Sequence, residues 1–411
     1  MDQINKFIIK NNVKKAAIIG GGFIGLEMVE SLKNLKIEIT LIEMIEQIFP
    51  PADPEIASML QEYNRSMGIK LILNCGAEEC RDEGSGLDIS LTNGKSVTFD
   101  MAILAIGVKP DTEFLKNSGI KTNKNGAIIV DHNMKTNLDN IYAVGDAIEV
   151  IDFISGERKE IPLAGPANRQ GRIAADNMAG IKSTYKNTQG TAICKIFELT
   201  AAVTGLNEKN AKSLGIKYIK SYTHSQNHAG YYPGSSQMAV KILFTPDEGK
   251  LLGAQIVGKH GVDKRIDVLA TAIRNGLTVY DLCELELAYA PPYGSAKDPV
   301  NIAGFVAQNI LENRMPVFYA EDIEGINFDK QVLLDVRTEP ENKEACIAGS
   351  KLIPIDELRS RLDELEKDKE ILVYCRVGFR GYLATRILMQ KGFTVKNLSG
   401  GYLTYAAYNS R

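Results

Sequence analysis

The chain has 411 residues, 44% hydrophobic and 24% charged, with a formal net charge of −3. That length suits two to four domains with enough apolar material for several cores. The near-neutral charge argues against a nucleic-acid partner. No apolar run reaches the roughly 18 residues of a membrane span. The opening residues 1–15 are mixed polar and lack the apolar stretch of a secretion signal, so a cytoplasmic protein is expected. The six cysteines, at 75, 80, 194, 283, 346 and 375, are dispersed. They form neither a disulfide framework nor a Cys-x-x-Cys pair, so no metal is expected and reduced thiols fit.

Ala16-Ala17-Ile18-Ile19 is an apolar run suited to a strand buried on both faces. It leads into Gly20-Gly21-Gly22-Phe23-Ile24-Gly25, a helical pattern over 26–35 and a second strand over 37–42 that ends at Glu43. Strand, glycine turn, helix and terminal acid together predict a dinucleotide site. Gly20 makes the tight turn, Gly22 lets the backbone approach a pyrophosphate, and Gly25 allows close packing of helix on strand. Phe23 and Ile24 complete the turn, and the helix start offers free N–H groups to phosphate. Glu43 is placed to accept from a ribose 2′-hydroxyl and disfavours a 2′-phosphate. NADH is therefore preferred, although basic neighbours leave NADPH open.

Residues 69–73 read as a further strand, and Asn93-Gly94 as a hairpin turn between 87–91 and 96–99. Residues 101–107 form a buried strand ending at Gly107, and Val108-Lys109-Pro110 reverses the chain beside a cofactor. Residues 126–131 read as another strand. A strand over 141–144 delivers Gly145 and Asp146 at its C-terminal end, where open α/β sheets bind ligands. Asp146 can accept from ribityl hydroxyls, and Gly145 permits close backbone approach.

Residues 136–146 resemble the second flavin-binding motif of the two-dinucleotide-fold flavoproteins, and 101–107 resemble their intermediate motif. Residues 162–172, which include Ala164, are similar to the helix start that faces the isoalloxazine. The resemblance implies FAD. A helix N-terminus there would stabilise negative charge on the reduced flavin.

Residues 191–313 resemble the interface domain of pyridine nucleotide-disulfide oxidoreductases. His228-Ala229-Gly230-Tyr231-Tyr232-Pro233-Gly234 and the segment from Ala288 to Asn301 narrow the likeness. Both are similar to coenzyme A-disulfide reductases and their NADH oxidase and polysulfide reductase relatives. The resemblance implies a homodimer in which Tyr231 and Tyr289 reach the partner subunit's active site. A phenol there can hydrogen-bond a thiolate or donate a proton to one. His224 and His228 are four apart, but Gly and Pro nearby disfavour a helix, so no metal pair is expected. Cys194 and Cys283 read as small core residues.

A new α/β unit follows a polar connector at 324–330. Residues 332–337 form a strand, 355–369 a helix with Leu358, Leu362 and Leu365 on one face, and 371–374 a second buried strand. That strand ends in Cys375-Arg376-Val377-Gly378-Phe379-Arg380 before another helix. A thiol at a strand tip, between arginines and before a helix start, favours its thiolate, and loop N–H groups can cradle an anion. This suits a persulfide carrier. Asp335-Val336-Arg337, the Cys375 loop and Ser399-Gly400-Gly401-Tyr402 resemble a rhodanese domain. One departure is Cys346-Ile347-Ala348-Gly349-Ser350, where that family has His-Ile-Pro-Gly-Ala. Cys346 is thus either structural or a second thiol near the loop.

The expected architecture is α/β. A Rossmann NAD(H)-binding domain spans 1–118, inset in a partial FAD-binding fold over 119–185. An α+β dimerisation domain spans 186–316 and a rhodanese-like domain 317–411. The resemblance also implies a first flavin-binding glycine motif and a redox-active cysteine, and neither is found in the sequence given. The expected function is FAD-dependent reduction by NAD(P)H of a disulfide, polysulfide or persulfide such as coenzyme A disulfide, coupled to persulfide transfer at Cys375. The alternatives are a chain that acts only as a sulfurtransferase, or an inactive fragment that needs a partner chain.

Overall fold

Four short apolar runs before residue 105 lay down a parallel sheet. The structure, a computed structural model, describes residues 2–82, 84 and 86–410. Met1 and Arg411, the outermost residues of the first and last expected domains, lie outside it. Helix α1 (Asp2–Asn11) precedes strand β1 (Lys15–Ile19), helix α2 (Phe23–Asn34) and strand β2 (Glu38–Ile42). Helix α3 (Pro54–Ser66) and strand β3 (Lys70–Ile72) follow. Strands β4 (Ala77–Asp82), β5 (Leu87–Leu91) and β6 (Ser96–Phe99) form an antiparallel side sheet, with β5 and β6 where the hairpin was expected. Strand β7 (Met101–Leu104) returns to the parallel sheet, whose order is β3-β2-β1-β7.

After Lys15, strand β1 is apolar because it feeds two cores. Ala16 and Ile18 pack with Leu26 and Leu32 of α2, while Ala17 and Ile19 pack with Ile89 and Phe99 of the side sheet. Burial on both faces replaces the alternation of a half-exposed strand. The strand expected at 101–107 stops at Leu104, although the Ala105 N–H still reaches Ile19 O at 2.7 Å.

The next unit holds strands β8 (Ile128–Ile129), β9 (Ile148–Ile151) and β10 (Arg158–Lys159), then helix α4 (Ala164–Met178). Two expectations are corrected here. The strand at 126–131 shrinks to two residues, and 141–144 is not a strand, since Tyr142 makes a single bridge to Lys135. Side chains satisfy the backbone instead. Asn123 accepts the N–H groups of Asn125 and Ala127, and Asp131 accepts those of Asn133 and Lys135.

An antiparallel sheet follows, made of β11 (Ala192–Ile196), β12 (Leu199–Gly205), β13 (Ile219–Gln226), β14 (Gln237–Phe244) and β15 (Leu251–Gly258). Its order is β11-β12-β15-β14-β13. Helix α5 (Glu208–Ser213) lies between β12 and β13 in sequence. Helices α6 (Val262–Arg274), α7 (Val279–Glu284) and α8 (Pro299–Leu311) supply the apolar cover, with Ile266, Leu269, Val300 and Ala303 in one core with Val240 and Ile256.

The C-terminal unit is a five-stranded parallel sheet. Its strands are β16 (Val317–Phe318), β17 (Gln331–Asp335), β18 (Lys351–Leu352), β19 (Glu370–Tyr374) and β20 (Val395–Leu398), in the order β16-β20-β19-β17-β18. Helices α9 (Glu339–Glu344), α10 (Phe379–Gln390) and α11 (Gly401–Asn409) join it. The helix expected at 355–369 is absent, and two 3-10 turns, Leu358–Ser360 and Leu362–Glu364, take its place. Arg361 bonds both Glu357 and Glu364, and bonds to the third residue back close each turn. The turns bury Leu358 and Leu365 without a continuous helix. Among the described residues no helix is long and apolar enough to cross a membrane.

Candidate functional site

The glycine turn divides its glycines between packing and openness. Gly20 has φ +108°, and a Cβ there would sit 2.3 Å from Ala105 O. A Cβ on Gly25 would sit 1.9 Å from Gly20 O, so the helix meets the turn only through a glycine. A Cβ on Gly22 would meet nothing within 4 Å. Gly22 is also the N-cap of α2 and provides no side-chain cap, so the first-turn N–H groups, at Phe23, Ile24 and Gly25, face an open approach. Glu43 is drawn back to this turn. Its Oε2 accepts the Gly21 N–H at 2.6 Å and its Oε1 the Ile45 N–H at 3.1 Å. The acid therefore orders the turn as well as standing at the end of β2.

Gly145 has φ +74°, and its N–H donates to Gln170 Oε1 at 2.8 Å, which ties the Gly145–Ala147 turn to α4. Asp146 beside it is exposed, as are Gly107 and Ala164. Helix α4 begins at Ala164 with no side-chain cap, which leaves its first N–H groups free. A cavity of about 480 Å³ joins this helix start to the dinucleotide turn; its walls include Phe23, Ala164, Gly165, Arg169 and Gln189. The fold thus brings Phe23 and Ala164 to one cavity, while Gly107, Gly145 and Asp146 lie outside its walls.

Tyr231 and Tyr289 meet. Their hydroxyls are 3.3 Å apart, and the rings are 78% and 48% exposed. Their segments are clamped together behind them. The Ala229 N–H donates to Gly294 O at 2.9 Å, and buried Arg265 bonds both Asn227 O and Asp298. The mutual hydrogen bond raises the Tyr231 phenol above its usual range. His224 and His228 go separate ways, as the absence of a helix implies. His224 Nε2 reaches Thr404 Oγ1 at 2.8 Å, whereas the His228 ring stacks edge-on against Tyr232. Burial, with a smaller push from Arg376, lowers the His224 imidazole to about 4.

Cys375 follows β19 and is fully buried. Its Sγ accepts the Gly378 N–H at 3.2 Å, and Gly378 turns the loop with φ +97°. The Tyr402 N–H caps Cys375 O at 2.8 Å, and a Cβ on Gly401 would lie 2.5 Å from that same oxygen. This close approach explains Gly401, while a Cβ on Gly400 would sit 2.7 Å from Tyr222 Cβ. Asp335 and Arg337 form a buried ion pair, with the Arg337 guanidinium over the rings of Tyr374 and Tyr402. Cys346 is exposed, and the next N–H, at Ile347, bonds Tyr374 Oη at 3.2 Å. Beside the loop lies a mostly apolar cavity of about 340 Å³, with walls that include Val377, Phe379, Ile302, Phe305, His224 and Lys297. No periodicity in the sequence announces it, because its walls come from segments far apart in the chain. Glu341, which binds Arg380 of the loop, was legible as the last member of the capping box Thr338-Glu339-Pro340-Glu341.

Cys194 and Cys283 are packing groups. Burial, with Glu27 and Glu30 nearby, pushes the Cys194 thiol up to about 12. Burial, with Glu284 and Glu312, takes Cys283 to about 11.

Comparison with known proteins agrees with this layout. Residues 1–171 match the pyridine nucleotide-disulphide oxidoreductase family, 191–299 the dimerisation domain of that family, and 320–408 the rhodanese-like domain. NADH oxidase of Methanocaldococcus jannaschii is 36% identical over 76% of this chain and 69% of its own length. Coenzyme A disulfide reductase of Staphylococcus epidermidis is 35% identical over 75% of this chain and 69% of its own. Among solved structures, reduced Bacillus anthracis CoADR-RHD superposes with a TM-score of 0.95 at 45% identity, covering 99% of this chain and 73% of that one. A NAD-dependent persulfide reductase from A. fulgidus gives a TM-score of 0.91 at 37% identity, covering 98% and 74%. The chain belongs to the pyridine nucleotide-disulphide oxidoreductase family and carries a C-terminal rhodanese-like domain.

Proposed function

We propose that this protein is a cytoplasmic, homodimeric reductase that uses NADH and FAD to reduce an organic disulfide or persulfide, with coenzyme A disulfide the leading candidate. The overall reactions balance as R–S–S–R + NADH + H⁺ giving two R–SH and NAD⁺, or R–S–SH + NADH + H⁺ giving R–SH, H₂S and NAD⁺. The observation that carries the reading is the cavity shared by Phe23 of the dinucleotide turn and Ala164 of α4. It joins the nucleotide turn to a free helix start suited to an anionic ring, as a reductase requires and a sulfurtransferase alone does not.

Gly20, Gly22, Phe23, Ile24, Gly25 and Glu43 would hold NADH, and the open space over Gly22 fits a pyrophosphate. Gly107, Gly145, Asp146 and Ala164 would hold FAD, for which the exposed carboxylate and free N–H groups are suitable donors and acceptors. When bound, FAD supplies a two-electron relay between nicotinamide and sulfur. Tyr231 and Tyr289 present hydroxyls that can hold or protonate a departing thiolate. Cys375 would carry sulfane sulfur, with the Gly378 N–H directed at it. Relatives named for coenzyme A disulfide and persulfide reduction, and the six free cysteines, support the substrate and the compartment.

The test is NADH consumption by the FAD-loaded chain, followed by absorbance, with coenzyme A disulfide or a coenzyme A persulfide. One NADH consumed per disulfide is expected. Consumption that occurs only with oxygen, or none at all, overturns the reading.

A further inference from the structure

We infer that the cavity beside the Cys375 loop binds a sulfur acceptor, a thiol on a short hydrocarbon chain that ends in an anionic group. The inference rests on the reading of Cys375 as a persulfide carrier and names the class of thiol that takes its sulfur. The cavity, about 340 Å³, lies at the small end of the range for ligand pockets, roughly 300–1,000 Å³. Its lining takes Val377, Gly378 and Phe379 from the loop and Ile302, Phe305 and Val306 from α8. Gly378 belongs to both the cavity and the sulfur site, because its N–H donates to Cys375 Sγ at 3.2 Å.

The charge of this lining is one-sided. Among the described residues that line the cavity, none is Asp or Glu, and Lys297 is the one fixed cation. His224, also in the lining, is neutral near pH 7, because burial and then Arg376 lower its imidazole to about 4. Lys297 stands one residue before the N-cap of α8, with its ammonium 5.8 Å from the centre of the Phe305 ring. Among the described residues no carboxylate pairs with it. Its neighbour Asp298 is taken by buried Arg265, Nη2 to Oδ2 2.8 Å. Neither loop arginine lines the cavity, and Arg380 is paired with Glu341. Mostly apolar walls favour a hydrocarbon chain over a peptide-like one, which would bury amide groups without partners. An ammonium without a counter-charge beside those walls selects an anionic end. The transfer step balances. The acceptor thiolate R–S⁻ attacks the outer sulfur of Cys375–S–SH, the S–S bond breaks, R–S–SH forms and Cys375 leaves as its thiolate, with no oxidant or reductant. R–S–SH is the class of persulfide that the proposed reductase consumes.

The test uses the full chain, with Cys375 loaded from thiosulfate and the acceptor persulfide trapped by iodoacetamide and quantified by mass spectrometry. KM is compared for 3-mercaptopropionate, 8-mercaptooctanoate and the neutral 8-mercaptooctanamide. KM should fall about three- to fourfold per added methylene while the chain fits. It should be about tenfold lower for the acid than for the amide, the order of one hydrogen bond to a charged group. Lys297→Met should erase the preference for the acid, and Lys297→Arg should keep it. Val306→Trp, which fills the cavity, should raise KM for 8-mercaptooctanoate more than for 3-mercaptopropionate. Octanoate, which has no thiol, should bind the full chain in calorimetric titration and bind Lys297→Met more weakly. A KM that does not change with chain length overturns the inference, as does a preference for the acid that survives Lys297→Met. Transfer that survives Cys375→Ser overturns the parent reading instead, and the octanoate titration still decides whether the cavity takes an apolar anion.

Discussion

Lys241 donates to Asp53 across the boundary between the interface sheet and the nucleotide-binding unit, Nζ to Oδ2 2.6 Å, with both side chains buried. Glu55 and Glu208 complete its shell. The hydroxyl of Tyr222 donates to Glu55, and Lys220 bonds Glu208 and reaches Glu321 ahead of β17. Burial opposes ionisation of Lys241, but Glu55, Asp53 and Glu208 outweigh it and hold the ammonium charged. Asp53, Glu55 and Glu208 offer oxygens within 4.8 Å of one another, a spacing that suits a metal ion. The lysine already supplies the cation there. One buried ion cluster thus links the nucleotide, interface and C-terminal units.

Replacing Lys241 with Met leaves three buried carboxylates without their cation. The expected loss is about 3–5 kcal/mol, the range for breaking a buried pair from one side. Thermal unfolding near neutral pH should show a large fall in Tm. The deficit should narrow in acid, because the orphaned carboxylates can then take up protons in the folded state. An unchanged Tm would remove the cluster from any role in holding the units together.

The two kinds of glycine in the nucleotide turn should separate in mutants. Gly25→Ala forces a Cβ to within 1.9 Å of Gly20 O, so Tm and NADH binding should fall together. Gly22→Ala meets no protein atom within 4 Å, so Tm should hold while the Kd for NADH rises about tenfold. Calorimetric titration alongside thermal melts distinguishes the two, and equal behaviour would mean the space over Gly22 is not where phosphate sits.

Tyr231→Phe and Tyr289→Phe should each slow disulfide turnover about tenfold, within the range for losing a positioned proton donor, while NADH binding is unchanged. Because the two hydroxyls bond each other at 3.3 Å, the double variant should lose less than the product of the singles. Strict multiplicativity in a double-mutant cycle would show that they act apart.

His224 predicts a pH dependence of stability. Its imidazole is lowered from 6.5 to about 4 in the folded chain, by burial and then by Arg376. The unfolded chain therefore binds the extra proton first. The contribution is fully present above about pH 6.5 and is lost as pH falls towards 4. In a comparison of Tm across that window, His224→Gln should remove this part of the slope, whereas parallel curves would contradict it.

The glycine turn, the hairpin at Asn93-Gly94 and the Cys375 loop were legible in the sequence because each depends on local backbone geometry. Gly20 needs a positive φ, Gly25 is required by a contact within one strand–turn–helix unit, and Cys375 needs only a strand tip before a helix. The errors fell where local signals compete. Residues 141–144 are apolar enough for a strand, but their backbone pairs only with the short stretch from Met134 to Thr136. Residues 355–369 have a leucine face, but two 3-10 turns bury Leu358 and Leu365 without a helix.

By itself, then, the sequence determined a dinucleotide turn with its acid Glu43, a tyrosine in each of two loops, and a cysteine in a glycine-bounded loop, since these are short-range patterns. Only the tertiary structure decided that Glu43 orders the turn through Gly21, that Tyr231 meets Tyr289, and that Phe23 and Ala164 share a cavity. It alone set Lys241 among carboxylates as far as 186 and as near as 33 residues away in sequence. Such pairings depend on how separate units pack and on which buried charges must be neutralised there, and no local run of residues encodes either.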